Sequence, residues 1–293
     1  MPELRIDPLT GLRTIVAGER ATRPGGGFSA EPRPSLDPET DPFLEGHEDR
    51  TPPELFALRP GGGEENGPGW SVRVVPNLYP ALGTADGDVP LGADPLAAGR
   101  GEPDLFSARP AAGAHEVIVN EGREAGASLP HTHAQLYALP FVPAAVARER
   151  ERFTAYSDRT QGRNLLEDVL QEEVRRRDRI VALDREAVAI APFASRVPFQ
   201  LQLIPRRPRA RFEDEGPLGA ALLHDVLGRL ARVLGALPPL NLWVRTAPSG
   251  AEHFCWRIDL LPRLTHLAGL ELGTGVNLNV LPPERAAAFL REA

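Results

Sequence analysis

Two strand-like runs, GAHEVIVN (Gly113 to Asn120) and Leu129 to Tyr137, are joined by only a short glycine-bearing segment. That spacing constrains the fold more than any other feature of the chain. A parallel crossover needs a dozen or more residues, usually a helix, so the two runs are predicted to pair as an antiparallel hairpin. Strand patterns, then helical patterns, then strand patterns again follow each other through the remaining sequence, with mostly short connections. The prediction is an α+β fold, mainly antiparallel sheet with helices on one face.

The second run also carries the chemistry. Side chains alternate along a strand, so Leu129, His131, His133, Gln135 and Tyr137 share one face, and Thr132, Ala134, Leu136 and Ala138 share the other. Two imidazoles and a carboxamide are costly to bury without partners. They fit a surface that meets a polar ligand. Just before them, Gly122, Gly126-Ala127-Ser128 and Pro130 form a small-residue turn whose backbone N–H groups and serine hydroxyl can cradle an anion. The motif alone leaves other readings open: a surface strand with incidental histidines, or two metal ligands.

Composition removes several function classes. All 33 cationic side chains are arginine, since the sequence has no lysine. This excludes the P-loop lysine, the kinase lysine and Schiff-base chemistry. Phosphates must then be handled by arginine, backbone N–H groups and histidine. A single cysteine, Cys255, excludes an internal disulfide and a multi-cysteine zinc site. The net charge of −7, with no basic block, argues against nucleic acid as a partner. No run is long and apolar enough for a membrane span, and MPELRIDPLTG lacks a signal-peptide core, so the expected compartment is the cytoplasm.

In chain order, residues 3–17 predict two short strands around the turn Asp7 to Gly11. Arg20 and Arg23 then precede a glycine run, where two guanidiniums on a loop can clamp a phosphate. Residues 24–68 are rich in Pro, Gly and acidic residues and predict a loop-dominated segment. Trp70 to Leu82 predicts a strand ended by Pro76-Asn77. PAAVARERERFTAYSDR and NLLEDVLQEEVRRRDR predict charged amphipathic helices. RIVALDREAVAIAPFA and PFQLQLIPRRP predict strands, and Leu222 to Leu234 a helix with an apolar stripe. LNLWVRTAP and HFCWRIDLLPR predict further strands, LAGLELGTGVNLNVLPPE a glycine loop, and PERAAAFLRE a closing helix. The two halves, 1–150 and 151–293, share this layout, with Cys255, Arg257 and Asp259 alternating as His131, His133 and Gln135 do.

Five stretches together resemble the galactose-1-phosphate uridylyltransferase family of the histidine-triad superfamily. They are DPLTG with ERATRP, DPFLEGHEDRTPPE, VVPNLYPAL, NEGREAGASLPHTHAQ and RIDLLPRLTHLAGLELGTGVNLN. The resemblance implies a duplicated histidine-triad-like fold, with the nucleophile motif in residues 1–150 and a hexose loop in 151–293. It implies transfer of a uridylyl group between UDP-hexose and hexose 1-phosphate, in galactose metabolism, through a covalent nucleotidyl-histidine. His133 would be the nucleophile, Gln135 would donate to the phosphate oxygens, and the backbone carbonyl of His131 would orient the nucleophile. Gly126 and Ser128 would cradle phosphate. Arg20 and Arg23 match phosphate-proximal arginines, Asn77 and Asn120 match positions near the nucleotide, and Glu271 matches a hexose-hydroxyl acceptor with Asn279 nearby. The implied partners are small-molecule substrates, and family members form homodimers. Two alternatives remain: a dinucleoside-polyphosphate or nucleotide-sugar phosphorylase or hydrolase with the same histidine chemistry, and a nucleotide-sugar-binding protein without turnover.

The sequence departs from the family pattern at four places. Asp41 and Leu44 stand where the family has zinc cysteines, leaving at best Asp41, His115 and His131 as ligands, so no zinc cofactor is expected. Arg245, Cys255 and Arg257 stand where some members bind a second metal. Thr132 separates the two histidines where the family has proline. GAHEVIV runs directly into NEGREAGAS, where the family usually inserts a helical segment.

Overall fold

The computed structural model describes residues 2–19, 28, 30, 37–78, 116–121, 133–137, 142–215 and 218–293. Two compact units are present, one of residues 1–34, 116–135 and 142–293, the other of residues 35–115 and 136–141.

In the first unit, strands β1 (Glu3–Ile6) and β2 (Arg13–Val16) pair antiparallel, with Glu3 opposite Val16 and Ile6 opposite Arg13. The turn between them forms as its residues dictate. Asp7 accepts the backbone N–H of Leu9 and the hydroxyl of Thr10, and Gly11 takes a positive φ of 70° that a side chain would resist. Arg152 then donates through Nε to the Pro8 carbonyl at 2.8 Å, fixing the turn against the first helix.

The main sheet contains β5 (Glu116–Glu121), β6 (His133–Tyr137), β7 (Ile180–Leu183), β8 (Ala187–Ile190), β9 (Leu201–Pro205), β10 (Leu240–Arg245) and β11 (Arg257–Pro262), in the order β6-β5-β10-β11-β9-β8-β7. The predicted hairpin strands β5 and β6 are therefore neighbours. Strand β5 also pairs antiparallel with β10, Asn120 lying opposite Asn241 and Ile118 opposite Trp243. Each neighbouring pair from β10 to β7 is antiparallel. The two-stranded ribbon of the second unit, β3 (Phe56–Leu58) and β4 (Val72–Val74), is antiparallel as well.

Five helices accompany these strands among the described residues: α1 (Ala144–Thr160), α2 (Leu165–Arg176), α3 (Ala220–Leu234), α4 (Gly269–Thr274) and α5 (Pro283–Glu292). Asn164 caps α2 by accepting from the N–H groups of Leu166 and Glu167, and Arg177 closes it in the left-handed conformation. The apolar stripe read in Leu222 to Leu234 buries Leu222, Val226, Leu230 and Leu234 of α3.

Helices occupy both faces of the sheet, a correction to the one-face expectation. Along β8, Ala187 and Ala189 pack in the core containing α3 and α5, while Val188 and Ile190 pack in a second core with Phe153 of α1 and Leu165, Leu166 and Leu170 of α2. All four β8 residues are buried, and a strand apolar on both faces needs cover on both. The region read as a glycine loop is also more ordered than expected. It forms α4 and a strand β12 (Asn277–Asn279), which pairs parallel with β2. Glycines made that stretch look broken, but the Glu271 carboxylate accepts the Ala268 N–H at 3.0 Å and starts the helix, and Gly275 ends it at φ 69°.

Candidate active site

Strand β6 begins at His133, and Gln135 lies two residues on in the same strand. The neighbouring strand β5 holds Asn120, next to its end. These three predicted site residues are thus brought onto adjacent strands. Arg20, Arg23, Gly126, Ser128 and His131 lie outside the described residues, as does His115. Asn77 follows β4 in the second unit and is exposed.

Glu271 is half-buried in α4, its carboxylate engaged with the Ala268 N–H. Asn279 is inaccessible, and its carboxamide is fully used. Nδ2 donates to the carbonyls of Ser195 and Val197 at 3.0 and 3.3 Å, and Oδ1 accepts from Leu281 N at 3.0 Å. The two carbonyls flank Arg196, so the observed contacts of Asn279 fix the loop that presents Arg196. Thr14 adds a bond from its hydroxyl to the Ala194 carbonyl.

On the face of the main sheet that α1 covers, a polar cluster replaces the apolar core. Arg257 is 2 % exposed and donates through both terminal nitrogens to Glu149 of α1, at 3.0 and 3.1 Å, while its Nε lies 3.0 Å from Asp259. Asp259 accepts in turn from Gln202 Nε2 at 2.7 Å. Arg245 adds a longer approach to Glu149 of 3.6 Å. Burial alone would lower the Arg257 pKa, but the Asp259 and Glu149 carboxylates outweigh it and hold the group firmly charged. Cys255 is buried beside this cluster, and burial pushes its thiol up to about 12, so it is no nucleophile at neutral pH.

The residues at both family metal positions fit a metal poorly. Arg245 and Arg257 are cations already engaged with carboxylates, and Leu44 offers no donor atom. The Asp41 carboxylate accepts from the Phe43 N–H at 2.9 Å, and the Asp41 carbonyl meets His47 Nδ1 at 2.7 Å. Among the described residues no group of three or more His, Cys, Asp or Glu side chains could hold a metal ion.

Arg257 and Asp259 stand out in the sequence by their alternation, whereas Glu149 is one of several charges in the amphipathic run that forms α1. Its partner comes from 108 residues away, a pairing that no local pattern signals. Arg196 and Trp243 were likewise not singled out.

The family described as "Domain of unknown function (DUF4921)" matches residues 100–291. The chain belongs to this family. Its named relatives agree with the resemblance to galactose-1-phosphate uridylyltransferases. An ADP-glucose phosphorylase of Arabidopsis thaliana is 28% identical over 99% of this chain and 93% of its own length. A probable galactose-1-phosphate uridylyltransferase of Drosophila melanogaster is 28% identical over 99% of this chain and 95% of its own. The crystal structure of an ADP-glucose phosphorylase from Arabidopsis thaliana with bound ADP-glucose shares the fold, with TM-score 0.76 and 24% identity over 100% of this chain and 99% of that one. No helix among the described residues is long and apolar enough to cross a membrane.

Proposed function

We propose that the protein is a nucleotidyltransferase that takes a nucleotidyl group from a nucleoside-diphosphate hexose onto His133 and passes it to a phosphate-bearing acceptor. The observation that carries this is the placement of His133 and Gln135 in strand β6, in a chain whose relatives over nearly their whole length are named for such reactions. A neutral imidazole nitrogen of His133 attacks the α-phosphorus, the bond to the β-phosphate oxygen breaks, and hexose 1-phosphate leaves. An acceptor phosphate oxygen then attacks the phosphoramidate, the P–N bond breaks, and the imidazole is regenerated. Gln135 stabilises the charge on the non-bridging oxygens, with Ser128, the Gly126 turn, Arg20 and Arg23 holding phosphates and Asn77, Asn120 and Glu271 serving nucleotide and hexose.

In this reading the donor is UDP-hexose and the acceptor a second hexose 1-phosphate, with the nucleophile motif in residues 1–150 and the hexose loop in 151–293. A second acceptor, inorganic phosphate, is favoured by the relative named ADP-glucose phosphorylase. Isotope exchange tests the common step. Labelled glucose 1-phosphate should enter UDP-glucose or ADP-glucose with no other substrate present, and His133→Ala should abolish it. Binding of either nucleotide sugar without exchange would reject the proposal in favour of a binding protein. The acceptor then follows from the product: a new nucleotide sugar with galactose 1-phosphate, or a free nucleoside diphosphate with inorganic phosphate.

A further inference from the structure

Beside the Arg257 cluster lies a cavity of about 90 Å³, roofed by α1 and the Asp7–Leu12 turn and floored by β9, β10 and β11. Four arginines face three carboxylates around it. The carboxylates already have partners. Asp7 accepts from Leu9 N and the Thr10 hydroxyl, Glu149 from Arg257, and Asp259 from Gln202.

Two donor groups in the lining stand out. The Arg196 guanidinium meets no carboxylate among the described residues; it lies over the Trp243 ring, 5.8 Å from centroid to Cζ. Burial, the largest influence on Arg196, lowers its pKa, and Arg245 and Arg257 add to that against Asp259 and Asp7. An anion beside it would reverse the penalty. The indole Nε1–H of Trp243 is buried without an acceptor, a costly state in a native structure.

The loop that presents Arg196 is heavily constrained. Asn279 and Thr14 hold its carbonyls, and Gln200 Oε1 accepts the Arg196 N–H at 2.7 Å. Phe199 sits at φ 58°, a conformation that bulky residues adopt only when their surroundings impose it. The loop carrying the Arg196 guanidinium is thus held in place beside the Trp243 ring, whose Nε1–H has no acceptor.

We propose that this cavity binds a small oxyanion, a phosphate or carboxylate, held by the Arg196 guanidinium and the Trp243 Nε1–H. The volume is far below the roughly 300 Å³ or more of pockets for drug-sized ligands, which suits a small ion rather than a nucleotide. No lining residue belongs to the nucleotidyl-transfer site, and the proposal stands without that reading.

The test uses the indole N–H resonances of the 15N-labelled protein, which has three tryptophans, with Trp243 assigned from Trp243→Phe. Inorganic phosphate and, separately, acetate are titrated at constant ionic strength against chloride. The expected result is a saturable shift of the Trp243 resonance alone, stronger for one of the two anions, which then names the ligand class. Arg196→Gln should weaken binding by about tenfold or more, and Arg196→Lys by less, with the Trp256 resonance unmoved in both as a fold control. The proposal is overturned if neither anion saturates, if all indoles shift together, or if Arg196→Gln titrates like the wild type.

Discussion

Replacing Glu149 with alanine should be among the most destabilising single changes in the protein. The side chains of Glu149 and Arg257 are each 2 % exposed, and two hydrogen bonds of 3.0 and 3.1 Å join them. Removing one partner of such a buried pair typically costs about 3–5 kcal/mol, because the remaining charge has lost its compensation. Arg257 keeps Asp259 at 3.0 Å, which places the expected loss near the lower figure, at roughly 3 kcal/mol. Against a typical total of about 5–15 kcal/mol, that is a large fraction of the stability. Urea unfolding followed by circular dichroism measures it. Glu149→Leu combined with Arg257→Leu should recover much of the loss, since an apolar pair of similar volume needs no compensation. A cost below about 1 kcal/mol for Glu149→Ala, or a double variant as weak as the summed singles, would refute the reasoning.

Other outcomes follow from the same contacts. Glu54 joins β3 to β4 through Arg59 at 2.8 Å and Arg73 at 2.9 Å, and the Arg59 hydrogen bond leads in holding its carboxyl down to about 2 from 4.5. A folded-state value below the unfolded one contributes stability that is present above 4.5 and lost as pH falls towards 2. Trp70 fluorescence should report that acid transition, and Glu54→Gln should flatten its pH dependence. Leu230→Ala, at a fully buried position of α3, should cost about 2–5 kcal/mol in the same urea assay. Asn279→Ala should cost about 1–3 kcal/mol by stranding the Ser195 and Val197 carbonyls, and should weaken oxyanion binding at Arg196. Cys255 should resist thiol reagents until the chain unfolds, its modification rate tracking global unfolding.

Much of the fold was legible in local pattern. The turn at Asp7 to Gly11, the stripe from Leu222 to Leu234 and the alternation in Leu240–Arg245 each carry their own period, and each forms the element it predicts. Where one residue type sends conflicting signals, the pattern fails. Glycines at 269, 273 and 275 suggested a loop, yet a single carboxylate bond from Glu271 and pairing with distant β2 make a helix and a strand. Helix placement on both sheet faces was written in the fully apolar run Ala187–Ile190, but a short apolar run does not say what covers it. The polar cluster was half legible. Arg257 and Asp259 stood out by alternation, whereas Glu149, Arg196 and Trp243 gain meaning only from long-range contacts. The strand predicted at His133 and Gln135 forms as β6, because its residues carry their own period.

Direct detection of the covalent intermediate tests the central claim. The protein is incubated with UDP-glucose or ADP-glucose labelled at the α-phosphate, then mapped by peptide mass spectrometry after acid and base treatment. The account predicts one nucleotidyl adduct on His133, labile to acid and stable to base, and absent from His133→Ala. A label on another residue, or undiminished labelling of His133→Ala, would contradict it.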